Sequence, residues 1–320
     1  MLRYTIKRIA IAVPMIIIAS FAMFMMVALS GDPMSRFRSM DPPPPQEALD
    51  QLERELGLDQ PVLVRYGNWI SGIVQGDFGA SVQNVDIGAE LGARMVVSFR
   101  LIVIAVLVAA VVAVIVGVIS AMRQNGGLDV TLSVIVFVAL AIPVFWIGVL
   151  LKYAAIEVNN AAGSTIFFTV GDGASTGAQG LQLVGFLALP TVVLVINQFA
   201  SWSRYVRSSM IEVLSADYMR LARAKGLTKG RAVVRHGLRN ALMPFVTVIA
   251  LDFSALVGGA IVTESIFQWR GMGDLLLNGI RNLDVNVVMA WLLVFATATI
   301  LLNLLADLLY GVLDPRIRTA

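Results

Sequence analysis

Six stretches of this chain are apolar for long enough to cross a hydrocarbon layer as a helix, which takes roughly 20 residues. They are Ile9–Leu29, Leu101–Ala121, Val130–Leu151, Leu181–Phe199, Leu242–Val262 and Val287–Leu309. Lipid offers no partner to a backbone amide or carbonyl, so such stretches must satisfy those groups internally, as helices. Hydrophobic residues make up 58% of the chain and charged residues only 14%, and the mean hydropathy is +0.82, far from the balance of a soluble domain. The expectation is an all-α membrane protein with six transmembrane helices. An even number of spans puts both termini on one side.

Charge decides which side that is. Between Arg204 and Arg239 nine Lys and Arg (Arg204, Arg207, Arg220, Arg223, Lys225, Lys229, Arg231, Arg235, Arg239) face two acids, Glu212 and Asp217, an excess that places this loop in the cytoplasm. Arg3, Lys7 and Arg8 before the first span, Arg123 after the second, and Arg316 and Arg318 after the last fall on the same side. The segment from Gly31 to Arg100 carries ten acids against six Arg and belongs outside. The first span follows basic residues and ends near a small-x-small site at Ala28-Leu29-Ser30, but its apolar run exceeds a usual signal core, so it reads as an uncleaved anchor.

The outer segment is too long for a plain connector and is expected to fold into a small helical extracytoplasmic cap. Pro42–Pro45 form a stiff lead-in, Gln46–Leu56 places Ala48, Leu49, Leu52 and Leu56 on one helical face, and Gly57 stops it. Pro61 can open a second helix through Trp69 and Ile73, Gly76–Ser81 reads as a turn, and Val85–Met95 as a short helix ahead of the second span. Gly163–Gly180, with five glycines among Ser, Thr and Asp, reads as an irregular outer loop. Pro143 and Pro190 can bend their spans. Three parts follow: residues 1–30 (terminus and first span), 31–99 (cap), and 100–320 (core), the last holding the cytoplasmic loop 204–241.

The residues argue against chemistry in this chain. It has no cysteine, so neither a thiol nucleophile nor a Cys-based metal site can form. No GxxxxGK[ST] is present to cradle nucleotide phosphates, and the only histidine, His236, sits between Arg235 and Arg239 rather than beside a serine or carboxylate cluster. No catalytic residues and no metal ligands are expected. Ionisable groups well inside the spans reduce to Asp252 and Asp307, fewer than the ion relay of a secondary carrier requires. Asp252, mid-span, could line a polar pathway or hold a neighbouring helix. Asp307, one turn inside the inner boundary, reads as structural. Ser254 with Gly258, and Ala255 with Gly259, make small-xxx-small pairs that let another helix approach, within the protein or along a pore.

In the basic loop, Asp217–Lys225 has the pattern of a short amphipathic helix, with Tyr218, Leu221 and Ala222 on one side, Arg220, Arg223 and Lys225 exposed, and Gly226 as its stop. Positive charge alone would explain attraction to anionic lipid. The order of residues goes further: Ala222-Arg223-Ala224-Lys225-Gly226-Leu227 and Arg235-His236-Gly237-Leu238-Arg239-Asn240-Ala241-Leu242-Met243-Pro244 resemble the inner loop of permeases of bacterial ATP-binding-cassette importers, in particular the first permease of the dipeptide, oligopeptide and nickel type. Leu56–Pro61, Gly76–Ser81, Glu264–Phe267, Gly271–Gly273 and Leu313–Arg318 are similar to further blocks of that family, so the resemblance runs nearly end to end. The general importer pattern E-A-A-x3-G-x9-I-x-L-P is not followed throughout. Arg220 stands at the Glu position, Leu221 at the first Ala, and Pro244 lies 18 residues after the glycine instead of 13. Ala222 and Gly226 carry over; the glutamate contact does not.

The resemblance implies a type I importer permease fold in the bacterial plasma membrane, with both termini cytoplasmic. It implies a homologous second permease, two ATPase subunits and an extracytoplasmic substrate-binding protein as partners, and no nucleic acid. Asp217, Tyr218, Arg220, Leu221, Ala222, Arg223, Ala224, Lys225, Gly226 and Leu227 would enter a groove on the ATPase, and Asp252, Ser254, Gly258 and Gly259 would line the pathway. ATP and magnesium would be held by the ATPases and no cofactor by this chain. The cargo implied is a di- or oligopeptide, with haem or a nickel chelate as alternatives; a secondary ion-coupled transporter is the alternative outside this family.

Overall fold

The computed structural model describes residues 2–32, 34–174 and 176–313, and the side chains of residues 2–5, 7, 8, 30, 36, 254, 255, 257–259 and 306–313 are not included in that description. Among the described residues all the regular secondary structure is helical, without strands. In chain order the helices are α1 (Leu2–Ser30), α2 (Ser35–Arg38), α3 (Gln46–Glu55), α4 (Val62–Val74), α5 (Ile87–Met122), α6 (Gly127–Ala141), α7 (Val144–Ala162), α8 (Gly180–Ser215), α9 (Asp217–Ala224), α10 (Lys229–Ala232), a π-helical turn (Val233–Gly237), α11 (Leu238–Phe267), α12 (Met272–Arg281) and α13 (Val285–Leu313).

Among the described residues α1, α5, α8 and α13 are each long and apolar enough to cross a membrane, and α6 with α7 would make a fifth crossing. The third predicted span, Val130–Leu151, is not one helix: α6 and α7 meet at 102°. Pro143 is the cause. Its ring pushes Ile142 out of the helical region, and Ile142 is extended at ψ 124°, while Pro143 lacks the N–H that would continue the ladder and instead sits just ahead of α7. Pro190, by contrast, lies inside an unbroken α8. The fifth predicted span falls within α11, of 30 residues. Helices α5 and α8 have 36 residues each, about 54 Å at 1.5 Å per residue, so both outrun a bilayer core. The expected short helix at Val85–Met95 is the leading part of α5.

The chain forms two compact units, one from Met1–Ser98 with Arg270–Leu304 and one built on Phe99–Trp269. In the first, Phe24 of α1, Trp69 of α4, and Met289 and Leu293 of α13 share a core. Helix α4 lies along α1: the Tyr66 hydroxyl is 3.0 Å from Ser20 Oγ, a residue well inside the first predicted span, so this part of the outer segment packs beside the span. Gly76–Ser81 closes onto the start of α13. Asp284, 1% exposed, accepts from Ser81 Oγ at 2.6 Å and from the Val82 amide at 3.0 Å. Gly79 has φ +89°, a backbone conformation that requires glycine, and the Asn286 side-chain amide lies close over it.

In the second unit α8 packs on α6, α7 and α11. Ile147 and Ala155 of α7, Leu189 and Val193 of α8, and Phe267 of α11 form one core. Gly117 lets α5 approach α8 so closely that a Cβ would meet Ser203 O at 2.7 Å. The last carbonyls of α11, which have no intrahelical partner, are bonded from outside the helix: Ile266 O accepts from Lys152 Nζ at 2.9 Å and Phe267 O from the Gly171 amide at 2.9 Å.

Candidate functional site

The first part of the basic stretch 204–241, up to Ser215, is the end of α8, and the rest follows it. Ala216 is extended (φ −67°, ψ 148°), and α9 follows with Asp217 in its first turn and Arg223 in its last, the charge order that a helix dipole favours. Its end is a Schellman motif: the Leu227 amide reaches Ala222 O at 3.3 Å and the Gly226 amide reaches Arg223 O at 3.0 Å. Gly226 holds the left-handed position at φ +90°, with nothing within 4 Å of where a Cβ would stand. Its glycine is therefore demanded by backbone conformation and not by space. Thr228 then caps α10, its Oγ1 accepting from the Arg231 amide, and the chain runs through the π-helical turn into α11.

The loop is attached to the spans through a small core of its own. Met219 and Ala222 of α9 pack with Ala121 of α5, Met210 of α8, Ala232, Val233 and Ala241. Met219 and Met210 are almost wholly buried, each stabilising the assembly by about 1.5–3 kcal/mol. Lys229 Nζ donates to Met122 O at 2.6 Å, a cation on the C-terminal end of α5 where the dipole attracts it. Helix α9 is thereby packed against the ends of α5, α8 and α11 together.

The outer side of α9 is bare. Tyr218 is 41% and Leu221 56% exposed; Asp217, Arg220, Arg223, Ala224, Lys225 and Gly226 are exposed, and Leu227 is half-buried. The expected face of Tyr218, Leu221 and Ala222 is therefore divided. Ala222 turns inward with Met219, since three- and four-residue steps from Met219 lead to Ala222 and Arg223, whereas Tyr218 and Leu221 present apolar surface among positive charges.

A second feature sits next to this core and was not visible in the sequence. Asp129, in the turn opening α6, is 3% exposed and receives both Nε and Nη2 of Arg207, each at 2.8 Å. The Asn125 amide donates to it at 2.9 Å, as does the Ser120 hydroxyl. The bidentate pair, with Ser120, braces the C-terminal end of α5, the start of α6 and the later part of α8. In the sequence Arg207 is one of nine loop cations; the one available signal was Asp129, an acid in the first turn of a helix beside a lone Arg123.

Within the spans, Asp252 of α11 is held from α8: Trp202 Nε1 donates to its Oδ2 at 2.7 Å and Gln198 Nε2 at 3.2 Å. It lines a cavity of about 330 Å³ with Asn197, Gln198, Ser201, Leu140, Val144 and Leu256. The side chains of Ser254, Gly258 and Gly259, the other nominated pathway residues, lie outside the described residues, as does that of Asp307. Among the described residues no group of His, Cys, Asp and Glu is arranged to hold a metal ion.

Comparison with known proteins gives this arrangement a family. Residues 113–319 match the binding-protein-dependent transport system inner membrane component, and residues 1–92 match the N-terminal family of such membrane components. The chain is 38% identical over 326 residues, covering 100% of both chains, to the oligopeptide transport system permease protein OppB of Mycobacterium tuberculosis. It is 34% identical to the oligopeptide permease protein AppB of Bacillus subtilis, covering 99% of each, and 36% identical to the dipeptide permease protein DppB of Escherichia coli, covering 99% of each. A solved amino acid ABC transporter chain is 14% identical with a TM-score of 0.44, over 69% of this chain and 93% of that one. With a family match over most of its length and full-length relatives well above 30% identity, the chain belongs to the inner membrane components of binding-protein-dependent transport systems.

Proposed function

We propose that the chain is one of two permease subunits of an ATP-driven importer of short peptides and does no bond chemistry itself. The observation that carries this is α9: a short helix anchored by Met219 and Ala222 to the ends of α5, α8 and α11, with Tyr218 and Leu221 bare on its outer side. Such a helix is suited to enter a groove on a cytoplasmic ATPase and to convey its motion to the spans. The peptide cargo is supported by the relatives, whose names are those of oligopeptide and dipeptide permeases.

In this reading α1, α5, α6 with α7, α8, α11 and α13 make six crossings with both termini in the cytoplasm, residues 31–99 face outward, and residues 100–320 form the core around the loop 204–241. Residues Asp217–Leu227 meet the ATPase; Asp252, Ser254, Gly258 and Gly259 border the pathway, which a homologous permease completes. ATP with magnesium binds on the two ATPases, and an extracytoplasmic binding protein delivers cargo. ATP-driven closure of the ATPase pair draws the α9 helices together and opens the spans outward; hydrolysis and product release reverse the change. Alternation needs ligands that favour one state, by roughly 5.5 kcal/mol for a near-complete switch. ATP and the loaded binding protein supply it.

Purification of the tagged chain from its native membrane in mild detergent, with mass spectrometry of what copurifies, tests the assembly. Recovery of a second permease and of ATPases with Walker motifs is expected, and the recovered complex in vesicles should take up a labelled peptide with ATP and without a proton gradient. A chain that remains solitary while a control complex stays assembled, or uptake driven by the gradient without ATP, overturns the assignment.

A further inference from the structure

The cytoplasmic ends of α5, α6 and α8 enclose a cavity of about 660 Å³, within the range of about 300–1,000 Å³ usual for small-molecule sites. We propose that it binds the headgroup of an anionic phospholipid of the inner leaflet, with Arg204 as the principal contact to the phosphate.

Depth is the first argument. Ser120 lies at the end of the second predicted span, Ser133 one turn inside the start of the third, and Ser201, Arg204 and Ser208 just beyond the end of the fourth at Phe199. Three helices therefore bring their polar boundary residues to one place, at the level where inner-leaflet phosphates lie. The lining is also mixed. The hydroxyls of Ser120, Ser133, Ser201 and Ser208 and the guanidinium of Arg204 share it with Val116, Val136 and Phe137, and beside Phe137 on α6 stand Val134 and Val138, both more than half exposed. A ligand with a polar head and an apolar tail matches both parts of that lining; a wholly soluble anion matches half of it.

Charge is the second argument. Arg207 is already neutralised by Asp129. Arg204 is not: its guanidinium stacks 5.1 Å above the Phe137 ring, and among the described residues no carboxylate pairs with it. The ring orients a planar, permanently charged fork suited to a phosphate, and each cation near such a surface draws anionic lipid. The hydroxyls of Ser133, Ser201 and Ser208 supply donors beside it.

The test is native mass spectrometry of the full purified chain titrated with phosphatidylglycerol and with phosphatidylcholine. The wild type should retain one phosphatidylglycerol in preference to phosphatidylcholine. Arg204→Gln, an exposed position whose replacement leaves the fold intact, should weaken that retention by about tenfold. Arg204→Lys should fall between, and Ser201→Ala with Ser208→Ala should weaken it about threefold. Equal retention by wild type and Arg204→Gln overturns the site. Competition by soluble glycerophosphoglycerol as strong as by the intact lipid overturns the lipid assignment in favour of a free phosphate ester. Displacement by a peptide with a free carboxylate but not by its amide overturns it in favour of cargo.

Discussion

Asp129 and Asp252 are both carboxylates that meet α8, and they are held in opposite ways. Asp129, in the turn that opens α6, is buried and faces a charged partner: two bonds from Arg207, with Ser120 and the Asn125 amide completing its shell. Asp252, inside a span, receives only the neutral donors Trp202 and Gln198, both on Oδ2, and borders open space. The first arrangement spends its charge on joining helices. The second fixes the orientation of a carboxylate that no cation pairs with among the described residues. The Asp129 end of this unit is thus a brace, and Asp252 is a carboxylate held by neutral donors beside a cavity.

The largest effect should come from breaking the brace. Asp129→Ala leaves the Arg207 guanidinium without its carboxylate, and losing one member of a largely buried pair should destabilise the chain by about 3 kcal/mol. That loss would be read as a drop in unfolding temperature of the detergent-purified protein. Adding Arg207→Met to it should restore a substantial part, because the uncompensated charge leaves with it. Independent, additive effects of the two substitutions would mean that the pair is not coupled.

Next in size is the link from the brace to α9. Gly226→Val forces a branched side chain into the left-handed region at φ +90°, at about 1–3 kcal/mol of local strain, and should unwind the end of α9. ATPase stimulation by loaded binding protein should fall at least tenfold in the reconstituted complex while membrane insertion persists. Gly226→Asn, which tolerates this conformation better, should retain much more. Similar losses in both variants would show that backbone geometry is not what the position provides.

A smaller, more selective change is expected from Tyr218→Ala with Leu221→Ala. Neither side chain packs in the inner core of the loop, so stability should change by less than about 0.5 kcal/mol. Recovery of ATPases with the purified permease should fall severalfold. Full recovery would remove the docking role from this face.

How much of this was legible beforehand follows one physical line. Whatever neighbouring residues decide could be read: the start of α3 after Pro45, its stop at Gly57, the opening of α4 after Pro61, and the Gly226 end of α9 all depend on local caps and φ preferences. The break before α7 was half legible, because Pro143 announces a bend but not one of 102°. What remained hidden was pairing across the sequence. Ser81 and Asp284 are 203 residues apart, and Arg207 and Asp129 are 78 apart. Periodicity carries no information about such partners. For the same reason the outward turn of Tyr218 and Leu221 emerged only once Met219 had a core to enter.

The effect most confined to transport, and the one that sharpens the comparison most, belongs to Asp252→Asn. The amide keeps the shape and an acceptor oxygen for Trp202, so stability should change by no more than about 1 kcal/mol. If the free charge of Asp252 matters to cargo, transport should respond where stability does not. Uptake of a peptide bearing a lysine side chain should fall by roughly threefold to tenfold relative to its uncharged counterpart, the scale of one solvent-screened charge contact of about 1 kcal/mol. Competition between the two peptides in one vesicle preparation measures that ratio directly, and cancels differences in protein amount and ATPase activity. A ratio unchanged by the substitution would make Asp252 a structural bond of α11 to α8 and nothing more; the contrast with Asp129 would then be one of strength and not of role.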